Sequence, residues 1–213
     1  MRGGAALRTA VMSIAAITAW TAVALQTWIT VPALLAKGGS VPGAVGHMLG
    51  YFTVLTNALA AVSLSAALLQ PRGALGRRAA LPNVATGIAL SMVMIGAIYS
   101  LFLRKLWPAA GLQHTADICL RYVGPLSYAL YWALAVPRFD PRLRALGQWL
   151  VFPACYAIVM LVRSGLGAAV PYFFLDVGSW GLARVLLNCS WFAAGFLVVG
   201  LVLIGLDRVK PRT

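Results

Sequence analysis

Glutamate does not occur in this sequence. The acidic inventory is four aspartates, Asp117, Asp140, Asp176 and Asp207. Charged residues of both signs make up only 10% of the chain, against about 25% in a soluble domain. That scarcity excludes an ordinary water-soluble fold. Histidine is limited to His47 and His114. The three cysteines, Cys119, Cys155 and Cys189, fall inside apolar runs with no paired spacing, so they read as small buried hydrophobes rather than disulfides or ligands. No metal and no cofactor is expected.

What remains is apolar: 62% of the 213 residues are hydrophobic. At about 20 residues per crossing, the chain has room for six spans joined by short connections. The fold class expected is all-α, a polytopic six-transmembrane-helix bundle in a single membrane domain covering residues 1–213. The net charge of +13 would suggest nucleic acid in a soluble protein. Here the basic residues mostly sit between apolar runs, where they set topology, and no nucleic-acid partner is expected.

The spans are expected at about 10–36, 48–69, 84–102, 112–136, 148–166 and 182–206. The first follows Arg2 and Arg8 and is longer than the 7 to 15 residues of a signal-peptide core, so it is read as an uncleaved span. The third ends in an aromatic and basic boundary, Arg104, Lys105, Trp107 and Pro108, the usual mark of the membrane interface. Eleven Lys and Arg fall in the N-terminus, the second and fourth loops and the C-terminal tail, whereas Lys37, Arg104, Lys105, Arg163 and Arg184 fall on the other side. This excess places both termini in the cytoplasm. The expected location is a bacterial inner (plasma) membrane.

In the fourth span, LQHTADICLRYVGP, His114, Asp117 and Arg121 are three and four residues apart and share one helix face. Pro125 has no N–H and is expected to leave the Arg121 carbonyl without its helical partner. In the second span, Thr53 and Asn57 lie one turn apart with Thr56 beside them. With the topology above, Thr53, Asn57, His114, Asp117, Arg121, Arg163, Arg184 and Asn188 all fall in the outer half of the bilayer, with Asp176 in the loop above. Arg121 lies about nine residues into its span, roughly 13 Å deep at 1.5 Å per residue. Ionisable groups within a membrane are by default a hypothesis about function.

Two readings stay open. In one, these groups pair with each other and with backbone carbonyls and only lock the helices. In the other they line a polar pocket. Three arginines against two aspartates leave a positive surplus that an anionic head group would satisfy, and Thr53 is a candidate nucleophile. Its candidate base is His114, with Asp117 orienting the imidazole or pairing with Arg121.

At these residues the chain resembles the bacterial Pr-six-Pr family of six-helix membrane proteins. The segments that carry the resemblance are YFTVLTN at Tyr51 to Asn57, ADICLRYVGPLSYALYW at Ala116 to Trp132, PYFFLD at Pro171 to Asp176 and ARVLLN at Ala183 to Asn188. More distantly it is similar to the androgen-induced membrane hydrolases, which cleave fatty-acid esters with an intramembrane threonine and histidine. That resemblance implies a nucleophilic role for Thr53. The position ahead of the proline where relatives carry histidine is Arg121 here, with His114 two turns earlier on the same face, and Phe173 stands where a proline is usual.

The expected function is a polar pocket in the outer half of the bilayer that binds a lipid or amphiphile. Thr53, His114 and Asp117 are the candidate catalytic set of a threonine-dependent lipid-ester hydrolase. Asn57, Arg121, Arg163, Asp176, Arg184 and Asn188 are the candidate binding residues. The alternative is a non-catalytic binding or transport module for an anionic small molecule or lipid. Membrane lipids and an amphiphilic substrate are the expected partners.

Overall fold

The structure is a computed structural model that describes residues 2–104 and 110–211. The expectations for Lys105, Trp107, Pro108 and Arg212 lie outside those residues. Among the described residues every regular element is helical. In chain order they are α1 (Arg2–Leu35), α2 (Val41–Leu49), α3 (Phe52–Leu69), α4 (Ala74–Ala79), α5 (Pro82–Ile98), α6 (Gly111–Ile118), α7 (Gly124–Ala135), α8 (Arg144–Gly165), α9 (Val177–Trp180) and α10 (Leu182–Val209). A 3₁₀ turn, Phe173–Leu175, precedes α9. Wider π turns extend α5 over Tyr99–Leu103 and join α6 to α7 over Cys119–Val123.

Among the described residues, five helical stretches are long and apolar enough to cross a membrane: Ala5–Leu35, Phe52–Leu69, Pro82–Phe102, Arg144–Gly165 and Leu182–Val209. The fourth expected span is the continuous helical run from Gly111 to Ala135. It is not among the five, and its first half carries Gln113, His114, Asp117 and Arg121.

The elements start where the sequence supplies turn chemistry. Most of the second expected span is α3; only its first residues, Met48 and Leu49, lie in α2, which precedes it. Ser40 caps α2 by accepting from the Gly43 amide at 3.2 Å, with Pro42 in the first turn. The chain then turns at Gly50 and an extended Tyr51 (φ −81°, ψ 121°) before α3 begins. Tyr156 of α8 fixes this corner by donating to the Gly50 carbonyl at 2.7 Å. Pro82 opens α5.

Small residues set the packing. Ala15, Ala16, Ala19 and Ala22 of α1 and Ala60 and Ala61 of α3 are buried, so the two backbones approach closely, as membrane helices do when no large side chain intervenes. α5 lies at the centre, in contact with α3, α7, α8 and α10. By contrast α8 and α10 turn most of their apolar surface outward, including Val159, Val162, Trp191 and Val198.

At the end of the bundle where α10 finishes, a buried ion pair closes the structure. Asp207 is fully buried, and its Oδ2 accepts from the backbone amides of Phe139 and Asp140 at 3.2 and 3.1 Å. Lys210 Nζ lies 3.5 Å from Asp207 Oδ1 and 3.5 Å from the centre of the Trp132 ring. It also donates to the Trp132 and Val136 carbonyls at the C-terminus of α7, where the helix dipole favours a cation. Burial pulls the Lys210 ammonium below its usual value, and Asp207 opposes the shift.

Candidate functional site

At the opposite end, α3 and α10 begin and α5 and α8 finish. Thr53 and Asn57 lie on the buried face of α3. Asn57 donates its amide N–H groups to the Thr53 carbonyl, one turn back, and to the Leu120 carbonyl of the neighbouring helix, at 2.8 and 3.0 Å.

The second bond has a cause in the backbone. In the π turn the Gly124 amide binds the Cys119 carbonyl, one residue further back than in an α-helix. It is therefore not available to Leu120. The next candidate on the i+5 pattern is residue 125, which is Pro125 and has no N–H. Leu120 is thus the orphaned carbonyl, one residue earlier than the Arg121 carbonyl expected from the proline alone, and Asn57 satisfies it across helices. Gly124 permits the fit, because a Cβ there would stand 2.5 Å from Asn57 Oδ1. That oxygen is buried and has no hydrogen-bond partner among the described residues.

Asp117 is buried, with Oδ2 3.1 Å from Arg121 Nη1 and Oδ1 accepting from Gln113 Nε2 at 3.1 Å. Gln113 in turn donates to Gln26 of α1 at 3.2 Å. The Arg121 guanidinium stacks over Tyr99, 4.3 Å from the ring centre, and so bridges the two π turns. Its Nη1 faces Asp117 off the line that a hydrogen bond needs, and its buried Nε has no acceptor among the described residues.

Two cavities meet here. The first, about 380 Å³, lies among α3, α5, α8 and α10 and is walled by residues such as Ile95, Leu150, Ala157, Phe192 and Phe196. Its few polar groups include the Tyr172 hydroxyl, 3.3 Å from Thr53 Oγ1. The second, about 360 Å³, lies among α1, α2, α3 and α6 and is polar, with Gln26, Thr30, His47, Tyr51, Gln113 and Asp117 on its walls. Thr53 and Arg121 belong to both walls.

The other expected residues lie elsewhere. His114 is exposed on α6 and lines neither cavity. Arg163 is exposed and reaches the Ala169 carbonyl at 3.5 Å. Arg184 is exposed at the start of α10. Asp176 caps α9, accepting from the Gly178 and Ser179 amides at 3.0 and 3.3 Å and from the Ser179 hydroxyl. The Ser179 hydroxyl first, and then these amides, hold its carboxyl below the usual range. Asn188 ties α10 to the loop by donating to the Phe174 carbonyl at 3.0 Å.

The surplus of three arginines over two aspartates therefore does not exist at the cavities. Arg121 faces Asp117 there, one charge against one. Conversely, Tyr51 and Tyr172 border the cavities although the sequence reading gave them no role, and His47, the other histidine on the outer side, lines the polar one. Tyr51 opens the YFTVLTN segment and Tyr172 is the second residue of PYFFLD, and membership of those segments was the available signal.

Comparison with known protein families, with curated proteins and with solved structures finds no match.

Proposed function

We propose that the protein crosses the membrane six times, with Gly111–Ala135 as the span additional to the five apolar ones. In this reading it binds an amphiphile in the outer half of a bacterial plasma membrane. The tail occupies the apolar cavity, the head group occupies the polar one, and the junction between them rests against Thr53 and Arg121. The observation that carries this reading is that those two residues, and no others among the cavity walls described, line both chambers. Membrane orientation follows from the basic residues, with both termini on the cytoplasmic side.

The test is photocrosslinking in native membranes with a long-chain amphiphile that carries a diazirine at the end of its tail. Adducts are expected on Ala157, Phe192 and their neighbours inside the apolar cavity. Adducts confined to outward residues such as Trp191 and Val198 would show only bulk lipid contact and overturn the proposal.

A second reading, ester hydrolysis with Thr53 as nucleophile, is supported by the position of its hydroxyl at the junction, where a head-to-tail ester would lie. His114 is not placed to serve it, so the base would come from the polar cavity, where His47 and Asp117 lie. Labelling of purified protein by a fluorophosphonate, compared with Thr53→Ala, decides this. Labelling lost on substitution supports hydrolysis, and labelling retained removes Thr53 as the nucleophile.

A further inference from the structure

The connection between α3 and α5, which contains α4, carries charge that the fold leaves unanswered. We propose that Arg72, Arg77 and Arg78 form a surface site for the phosphodiester of an anionic glycerophospholipid in the cytoplasmic leaflet. This site lies apart from the two cavities and shares with them only the premise that the chain crosses a membrane with its termini on the cytoplasmic side.

Three observations converge. The first is position. α3, and the stretch that begins with α5, are both long and apolar enough to cross a membrane, so the short α4 between them lies at its boundary. Gly76 holds it there. A Cβ at Gly76 would overlap the Gln70 carbonyl oxygen and stand 2.6 Å from that of Ala66, so α4 packs backbone to backbone against the last turn of α3 instead of projecting into water. The exposed leucines Leu69, Leu75 and Leu81 alternate with the arginines along this segment and offer acyl chains an apolar contact.

The second observation is charge. The protein has no glutamate, and each of its four aspartates is engaged elsewhere: Asp117 with Arg121, Asp140 with Arg138, Asp207 with Lys210, and Asp176 in the cap of α9. The three exposed arginines therefore have no carboxylate side chain to neutralise them, at a surface where the anionic leaflet attracts basic segments. The third is chemistry. Arg77 donates from Nη1 to the Arg72 carbonyl, which sets its guanidinium beside Arg72 and uses only one of its N–H groups. Every basic residue of this connection is arginine, whose planar fork matches two phosphate oxygens at once. A topology signal alone needs only charge, which lysine would supply.

Purified full-length protein in detergent is titrated with dioleoylphosphatidylglycerol and with the phosphatidylcholine of the same chains, and binding is read by native mass spectrometry. The wild type is expected to bind the phosphatidylglycerol on the order of tenfold tighter. R72Q, R77Q and R78Q together should remove that preference, whereas R142Q with R144Q, at the same end of the bundle, should leave it unchanged. The set R72K, R77K and R78K conserves charge and the topology signal, and should weaken phosphatidylglycerol binding several-fold through loss of the fork. Millimolar inorganic phosphate should not displace the lipid.

A wild type without the preference, or a preference that survives the glutamine set, overturns the proposal. A preference that falls equally with R142Q and R144Q reports diffuse basic charge, and full binding by the lysine set reports point charges alone; either overturns it as well. Displacement by inorganic phosphate would make the site a general anion site and not a lipid site. None of these results bears on the photocrosslinking of the cavities.

Discussion

Asn57 is the side chain that ties α3 to the π turn through the Leu120 carbonyl, and its contribution can be separated from that of its surroundings. Asn57→Ala removes the donor that satisfies the Leu120 carbonyl. An orphaned buried acceptor costs about 1–3 kcal/mol in general, whereas interhelical hydrogen bonds in membranes average nearer 0.6 kcal/mol. The lost carboxamide also leaves a small void, although its own unpartnered Oδ1 disappears with it. A loss of about 1–2 kcal/mol is therefore expected for the substitution alone, measured by reversible denaturation in mixed micelles. Pro125→Ala supplies the missing comparison, because it gives residue 125 an N–H of its own. Whether the helix keeps the π register or relaxes to the α register, the Leu120 carbonyl then finds a partner within its own helix. Asn57→Ala should accordingly cost about 1 kcal/mol less in the Pro125→Ala background than in the wild type. Equal losses in the two backgrounds would refute the account of why this helix needs Asn57.

Three further outcomes are expected. Gly124→Ala places a Cβ against Asn57 Oδ1 and the Cys119 carbonyl, and overpacking of this kind typically lowers stability by about 1–3 kcal/mol in the same denaturation assay. Asp207→Ala leaves two backbone amides and the Lys210 ammonium without their carboxylate, so a loss of about 3–5 kcal/mol is expected, well beyond that of substituting an exposed Arg208. The Asp176 carboxyl titrates below its ordinary value of 3.8 in the folded state, so its cap is fully present above that value and is lost as pH falls through the lower folded value. Amide exchange at Gly178 and Ser179, corrected for its intrinsic pH dependence, should show protection falling over that acid range in the wild type but not in Asp176→Asn.

Residues placed by helical spacing were legible in the sequence. Thr53 with Asn57, and Asp117 with Arg121, are pairs one turn apart that the helices bring to one face, and one member of each, Thr53 and Arg121, lines both cavities. Arg163 and Arg184 were assigned to the same place because depth can be counted from a span boundary. Direction around the helix axis cannot, and both point outward. Tyr172 sits in a connection with no periodicity to read, and its position depends on packing against Phe174 and Tyr51. The ion pair of Asp207 and Lys210 was hidden for another reason. A lysine in a basic tail reads as a topology charge, and only the return of α10 to the end of α7 shows that it caps a helix. The π turns were the least legible, since hydrophobic pattern fixes which face is buried and not which carbonyl an amide selects.

The π turn at Cys119–Val123 also acts as an angular spacer. One residue corresponds to about 100° of rotation about a helix axis at 3.6 residues per turn. α7 is anchored in the core by Tyr128, Tyr131 and Trp132, so excising a single position such as Tyr122 would fall on the segment before it. The carboxylate and guanidinium of Asp117 and Arg121 would swing roughly a quarter-turn toward the lipid. Their chemical identities would be untouched, yet the polar cavity would lose both its charges.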